Sequence, residues 1–239
     1  MKKFSLIIGS CLLMFAMSGC VNEGTSITLL GVASPADCNA GESAKMILEG
    51  LLDQNNNEYY AFLNVTNNMT EDSAWSSSSS SSSSGSTFEP TLPSMNTVYL
   101  EQLTVTCKAI DGSSDACKGM DSIKSSLGNY PLRAGGSALT AAKISLADWS
   151  FSESVEMELQ VKYHDSGVFS DESNTISFTI KRSEISFDEY VEAKGCSSMT
   201  PSNTCAVYGQ DSPSDSSAWT CEEEDSGDGE EEEEPPVDD

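Results

Sequence analysis

The chain's one histidine, His164, stands in the run YHDSG beside Asp165 and Ser166. Imidazole, carboxylate and hydroxyl are the groups of a nucleophilic triad, but a triad is defined by geometry, and three consecutive side chains diverge along a strand or turn. No GxSxG elbow accompanies them, so a solvent-facing turn histidine is the reading that follows. A pair of carboxylates could hydrolyse glycosides, yet with 38 acidic residues their mere presence carries no signal. Glu153, Glu156 and Glu158 read instead as the wet face of a strand, and Trp149 and Phe151 as the apolar cover of a neighbouring edge. The same two rings, with Trp75 and Trp219, are the ones available to stack on a sugar. Calcium needs hard oxygen ligands in a pattern such as D-x-[DN]-x-[DN]-G. The runs DGSSD from Asp111 and DSPSD from Asp211 set two acids four apart, without the middle ligand or the glycine. Gly135-Gly136 lacks the lysine and helix start of a phosphate loop. The expectation is therefore no catalytic residue, no metal and no cofactor: a protein that is not an enzyme.

Sulfur is more informative. Of eight cysteines, Cys11 lies in an N-terminal leader and Cys20 at its end, which leaves Cys38, Cys107, Cys117, Cys196, Cys205 and Cys221. Six is an even number, and an exported chain meets an oxidising compartment, so three disulfides are expected. Closeness in sequence favours Cys107 with Cys117 and Cys196 with Cys205, leaving Cys38 with Cys221. Zinc would require CxxC-type spacing, which is missing.

The leader has a secretory layout: Met1, Lys2 and Lys3, an apolar run from Phe4 to Met17, then Ser18 and Gly19. Its apolar part is too short for the roughly 20 residues of a spanning helix, and no transmembrane helix is expected elsewhere. Met17-Ser18-Gly19-Cys20 resembles the lipobox of bacterial lipoproteins. The resemblance implies cleavage after residue 19, acylation of Cys20 and, because Val21 rather than Asp follows, an outer-membrane location. Each buried methylene contributes about 0.8 kcal/mol, so several acyl chains make a durable anchor.

The formal net charge is −26. Twelve of the acids lie between Glu222 and Asp239; once Lys2 and Lys3 leave with the leader, the remaining 26 face ten basic residues, a net of −16. Such a surface repels phosphate backbones and excludes nucleic acid as a partner.

These candidate residues are carried by strands. Val155, Met157, Leu159, Val161 and Tyr163 alternate with Glu156, Glu158, Gln160 and Lys162, the pattern of a half-buried strand. Ile176, Phe178 and Ile180 repeat it. Tyr59 to Val65 sets Ala61, Leu63 and Val65 on one face and Tyr60 and Phe62 on the other, as if covered on both sides. Between Val98 and Cys107 the apolar parity slips from Leu100 to Leu103, which predicts a bulge near Glu101 and Gln102. Weaker strands are Ile27–Ala33, Met46–Leu52 and Leu139–Leu146. Asn55-Asn56-Asn57 can turn a hairpin between the second of these and Tyr59, and Asp165-Ser166-Gly167 another after Tyr163.

About seven short strands predict an all-β fold, an Ig-like antiparallel β-sandwich, with a small β-barrel as the alternative. The domain order is signal peptide 1–19, a lipid-anchored segment 20–37, the sandwich 38–183, a cysteine-containing appendage 184–221 and an acidic tail 222–239. Ser76 to Ser86 and the tail cannot bury area against the entropy of ordering, so both are expected to be disordered. Cys20, YYAFLNVTNN, NTVYLEQLTVTC and NTISFTIKR together are similar to uncharacterised outer-membrane lipoproteins of predatory and social bacteria, a resemblance that implies no activity. The function expected is an envelope-anchored lipoprotein with a structural or protein-interaction role. A glycan-binding or small-ligand module is the alternative, and an exported hydrolase the lesser one. Its partners are the membrane, through the lipid, and an envelope protein or glycan.

Overall fold

The computed structural model describes residues 26–70, 96–118, 122–166, 169–211 and 216–222. Cys20, the serine run 76–86 and the tail beyond Glu222 lie outside these residues. The chain forms β1 (Ile27–Ala33), β2 (Met46–Ile47), β3 (Glu49–Leu52), β4 (Glu58–Asn67), β5 (Val98–Ile110), β6 (Ile123–Leu132), β7 (Ser137–Ser145), β8 (Ser154–Asp165), β9 (Ser170–Glu172), β10 (Ile176–Arg182), helix α1 (Phe187–Ala193), β11 (Ser198–Pro201) and β12 (Trp219–Glu222).

Two sheets face each other. The smaller has the order β2-β1-β4-β7, and the larger β3-β10-β8-β5-β6 with β9 beside β8. Strands β4 and β7 lie in one sheet and β5, β8 and β10 in the other, the Ig-like distribution. All ladders are antiparallel except β3 with β10, which is parallel. The stretch Met46–Leu52 begins in the small sheet and ends in the large one, breaking at exposed Leu48. That switch of sheets carries the sandwich partway towards a barrel.

The core lies between the sheets. Val155, Met157, Leu159, Val161 and Tyr163 of β8 are all buried against Leu63 and Val65 of β4 and their neighbours. At roughly 1.5–3 kcal/mol per large apolar side chain, such a strand supplies a substantial share of folding energy. The parity slip in β5 is a bulge: Leu100 pairs with Tyr163 and Gln102 with Lys162, leaving Glu101 as the extra residue. Buried positions move from Val98 and Leu100 to Leu103 and Val105 as a result.

Three expectations are corrected. Asn55–Asn57 do not close a hairpin, because β3 and β4 belong to opposite sheets and the asparagines cross between them. The sandwich starts before residue 38: β1 pairs with β2 on one side and β4 on the other, because its alternating apolar residues Ile27 and Leu29 are needed in the core. The disulfides are Cys107–Cys117, Cys38–Cys205 and Cys196–Cys221. Nearest-neighbour pairing holds for the first bridge alone, because β11 and β12 pair Met199 with Cys221 and so bring Cys196 to Cys221. Cys205 then joins Cys38 beside Asn203, whose amide donates to Pro35 O at 2.6 Å. The stretch 184–221 forms a small satellite cluster of its own around Phe187, Ala206, Ala218 and Trp219.

Candidate interaction face

The bulge in β5 has a chemical consequence. An extra residue re-aims a side chain, and here the Glu101 carboxylate turns onto the outer face of the large sheet, 3.0 Å from His164 Nδ1 and 3.7 Å from Lys162 Nζ. His164 lies near the end of the β5–β8 ladder, not in a free turn as its sequence suggests. Tyr99, its cross-strand partner, stacks on it with ring centroids 5.1 Å apart and planes 14° from parallel. The imidazole nitrogen is close to Glu101 but off the line of a well-formed hydrogen bond. Asp165 and Ser166 do not complete a triad with it: Asp165 Oδ1 accepts the Phe169 amide at 3.3 Å.

This cluster sits at one end of a broad polar face. Glu156, Glu158, Gln160 and Lys162 of β8 alternate outward, as expected, beside Thr104 and Thr106 of β5. Lys108 pairs with Glu158 at 2.8 Å and Lys181 with Glu49 at 2.7 Å. Exposed pairs of this kind contribute about 1 kcal/mol or less to folding. Their effect is to make the face charged in both signs and wettable.

The other residues that sequence analysis singles out are engaged in building the fold. Trp149, Phe151 and Trp219 are buried, Arg182 lies 4.4 Å over the Phe151 ring, and Trp75 is outside the described residues. These three rings offer no sugar-stacking platform. Glu153 gives its backbone amide to Asp111 Oδ1 at 2.8 Å, and the Asp111 carboxylate also takes the amides of Ser152 and Ser154. Those amides hold its pKa down to about 2. Asp115 pairs with Lys118, so DGSSD does not converge on a cation. Gly135, at φ +66°, turns β6 into β7. Among the described residues no group of three or more His, Cys, Asp or Glu side chains is arranged to hold a metal.

Asp211 is buried and joins the C-terminal segment to the sandwich. Its Oδ2 accepts the Tyr59 hydroxyl at 2.8 Å and its Oδ1 the Leu51 amide at 2.7 Å. Burial first, and the neighbouring carboxylate second, push the Tyr59 pKa well above that of a free phenol. Next to it, Gln210 accepts from Tyr60 N and donates to Tyr60 O, both at 2.9 Å, imitating a strand where β1 no longer covers β4. Asn174 does the same for Leu29 beside the irregularity in β1. Sequence reasoning misses Gln210 and Asn174 and weighs Asp211 only as a calcium ligand, since nothing local marks an amide or carboxylate whose partner is more than a hundred residues away. The cluster at His164 has a signal, the slipped parity at Glu101.

The fold defines the class: an all-β sandwich held by three disulfides, with a stapled C-terminal segment. Compared with protein families and with curated proteins, the chain finds no match in either.

Proposed function

We propose that this chain is a lipid-anchored envelope protein that works by presenting its sandwich to a partner, with acyl chains on Cys20 fixing it in the outer membrane and no catalytic step of its own. The observation that carries the reading is the shortness of the leash. β1 begins at Ile27, seven residues after Cys20 in sequence, and is paired with Asn67 from its first residue. A fully extended connection of that length reaches about 25 Å, so the body stands next to the lipid. Three disulfides support an oxidising compartment. The mixed-charge face of the large sheet suits a protein partner, since charges of both signs select orientation and exclude wrong surfaces.

Metabolic labelling with a fatty-acid analogue tests the anchor: label is expected on the wild type and absent from Cys20→Ala, which should leave the membrane fraction. A photo-crosslinking residue in place of Thr106, at the centre of the face, is expected to trap a discrete envelope protein in living cells. A label-free wild type would refute the anchor, and an absence of adducts across the face would refute the interaction role.

A further inference from the structure

We infer that the end of the sandwich carrying Ser26 and the β8–β9 turn lies against the bilayer, with Phe169 inserted among the headgroups as a second, non-covalent attachment. The inference rests on the acylated-Cys20 reading and adds an orientation to it. Phe169 is 80 % exposed, the most exposed of the large apolar side chains among the described residues. It is held there: Asp165 donates its amide to Phe169 O at 3.2 Å and accepts the Phe169 amide on Oδ1 at 3.3 Å. Among the described residues the ring is left largely in water, on a turn that its own backbone bonds hold.

Its position supplies the partner. Ile27 pairs with Asn67, Asn68 donates to Ser26 O at 2.7 Å, and Val98 pairs with Asp165 and Leu132, so the start of β1 and the turn bearing Phe169 share one end. The 13-residue β5 makes the sandwich about 40 Å long at ~3.3 Å per residue. The ~25 Å leash is shorter than the body, and it leaves from the end where Phe169 projects.

Among the described residues, the β6–β7 turn carries Arg133 and the β8–β9 turn Asp165, and by sequence the connections that leave this end add Glu23, Glu71, Asp72 and Glu89. The nearest further acids, Asp171 and Glu172, lie on β9, where Glu172 is opposite Lys162. The far end carries Asp53, Asp115, Asp148, Glu153, Glu184 and Asp188 against Lys118, Arg182 and Lys194. An exposed aromatic ring beside the point where the acylated leash joins the body is the composition of an interfacial contact.

The experiment uses the full acylated chain in vesicles of phosphatidylcholine brominated on its acyl chains. Because the connection from Thr70 to Asn96 also leaves from this end, Trp75→Phe is the background. A reporter tryptophan is then placed by Phe169→Trp or, at the far end, by Ala147→Trp, a position exposed just beyond β7; acylation is verified by intact mass. The tryptophan at 169 is expected to lose most of its added emission to the bromolipid, and the one at 147 to keep it. Equal quenching at both ends, or none at 169, on an acylated chain overturns the orientation and leaves the anchor intact. A mass without acyl chains overturns both.

Discussion

Gly50 has no side chain because Tyr59 occupies the space. A Cβ built at Gly50 would lie 2.4 Å from the Tyr59 Oη, 2.6 Å from Cζ and 2.7 Å from Cε2. Tyr59 is 1 % exposed and its hydroxyl is bonded to Asp211, so the ring has nowhere to go without breaking that bond. Gly50→Ala thus carries two costs. Over-packing of a filled core is worth about 1–3 kcal/mol, and loss of a hydrogen bond to a carboxylate about 1.5–3 kcal/mol. The sum, about 2.5–6 kcal/mol, is a large fraction of the total stability of a domain and corresponds to a fall in melting temperature of about 10 °C. Urea unfolding followed by circular dichroism, with the disulfides kept oxidised, measures it. A double-mutant cycle with Tyr59→Phe separates the parts. If Gly50→Ala already breaks the hydroxyl's bond, the double variant should be less destabilised than the sum by about 1.5–3 kcal/mol. Strict additivity, or a Gly50→Ala cost below about 0.5 kcal/mol, would refute the argument, because the ring would then be free to shift.

Non-reducing peptide mapping should recover Cys38 linked to Cys205 and Cys196 linked to Cys221. Removing the first pair as Cys38→Ser with Cys205→Ser should cost more than removing Cys107 and Cys117, by about 2.5 kcal/mol in a chain-entropy account, because the sequence separations are 167 and 10. Asp111 is held at a pKa of about 2 by the amides of Ser154, Glu153 and Ser152; its folded pKa lies below the unfolded value of ~3.9, so its contribution is complete above that value and lost as pH falls towards 2. Asp111→Asn, which tolerates the φ of +48° at this position, should flatten stability against pH between ~4 and ~2, as read by thermal melts. Tyr208, hydrogen-bonded to Asp188, is raised to about 12, and Asp188→Asn should return its ultraviolet titration towards 10.

Much of the sandwich is legible because burial of one face writes itself into alternate residues. β8, β10, β4 and β1 are visible that way, and the bulge at Glu101 shows as a slip of parity. β6 is not: its run ends in Gly128, Asn129, Tyr130 and Pro131, with positive φ at Gly128 and Asn129, and its exposed residues outnumber its buried ones. The break at Leu48 is invisible because both halves of that stretch are short and apolar, and the change of sheet is a tertiary event. The bridges of Cys38 and Cys196 escape for the same reason, since proximity along the chain says nothing about a two-stranded ribbon that folds Cys221 back. His164 resembles a turn residue because Asp165 and Ser166 follow it, yet the β5 ladder runs to Asp165 and keeps the imidazole on a strand.

Five polar residues spread along the chain share one use. Asp111 closes the turn at the end of β5, Asn64 exchanges two hydrogen bonds with Gly41, and Gln210, Asn174 and Asp211 each satisfy backbone groups of a strand that lacks a neighbour there. A buried or edge-facing N–H without a partner is costly, and a sandwich built from short, bulged strands has many such groups to satisfy. Side chains take the place of missing strands and cover the edges that would otherwise pair with another chain. Fixed in this way, these groups are not available to move protons or grip a ligand. The proposed role rests instead on where the faces are held: on that reading the β5–β8 face is turned to a partner and the end bearing Ser26 and Phe169 to the lipid. The acylation test, the crosslinking from Thr106 and the quenching at residue 169 therefore probe one arrangement from three sides: the crosslinking and the quenching can each fail alone, whereas a failed acylation removes the ground for the quenching as well.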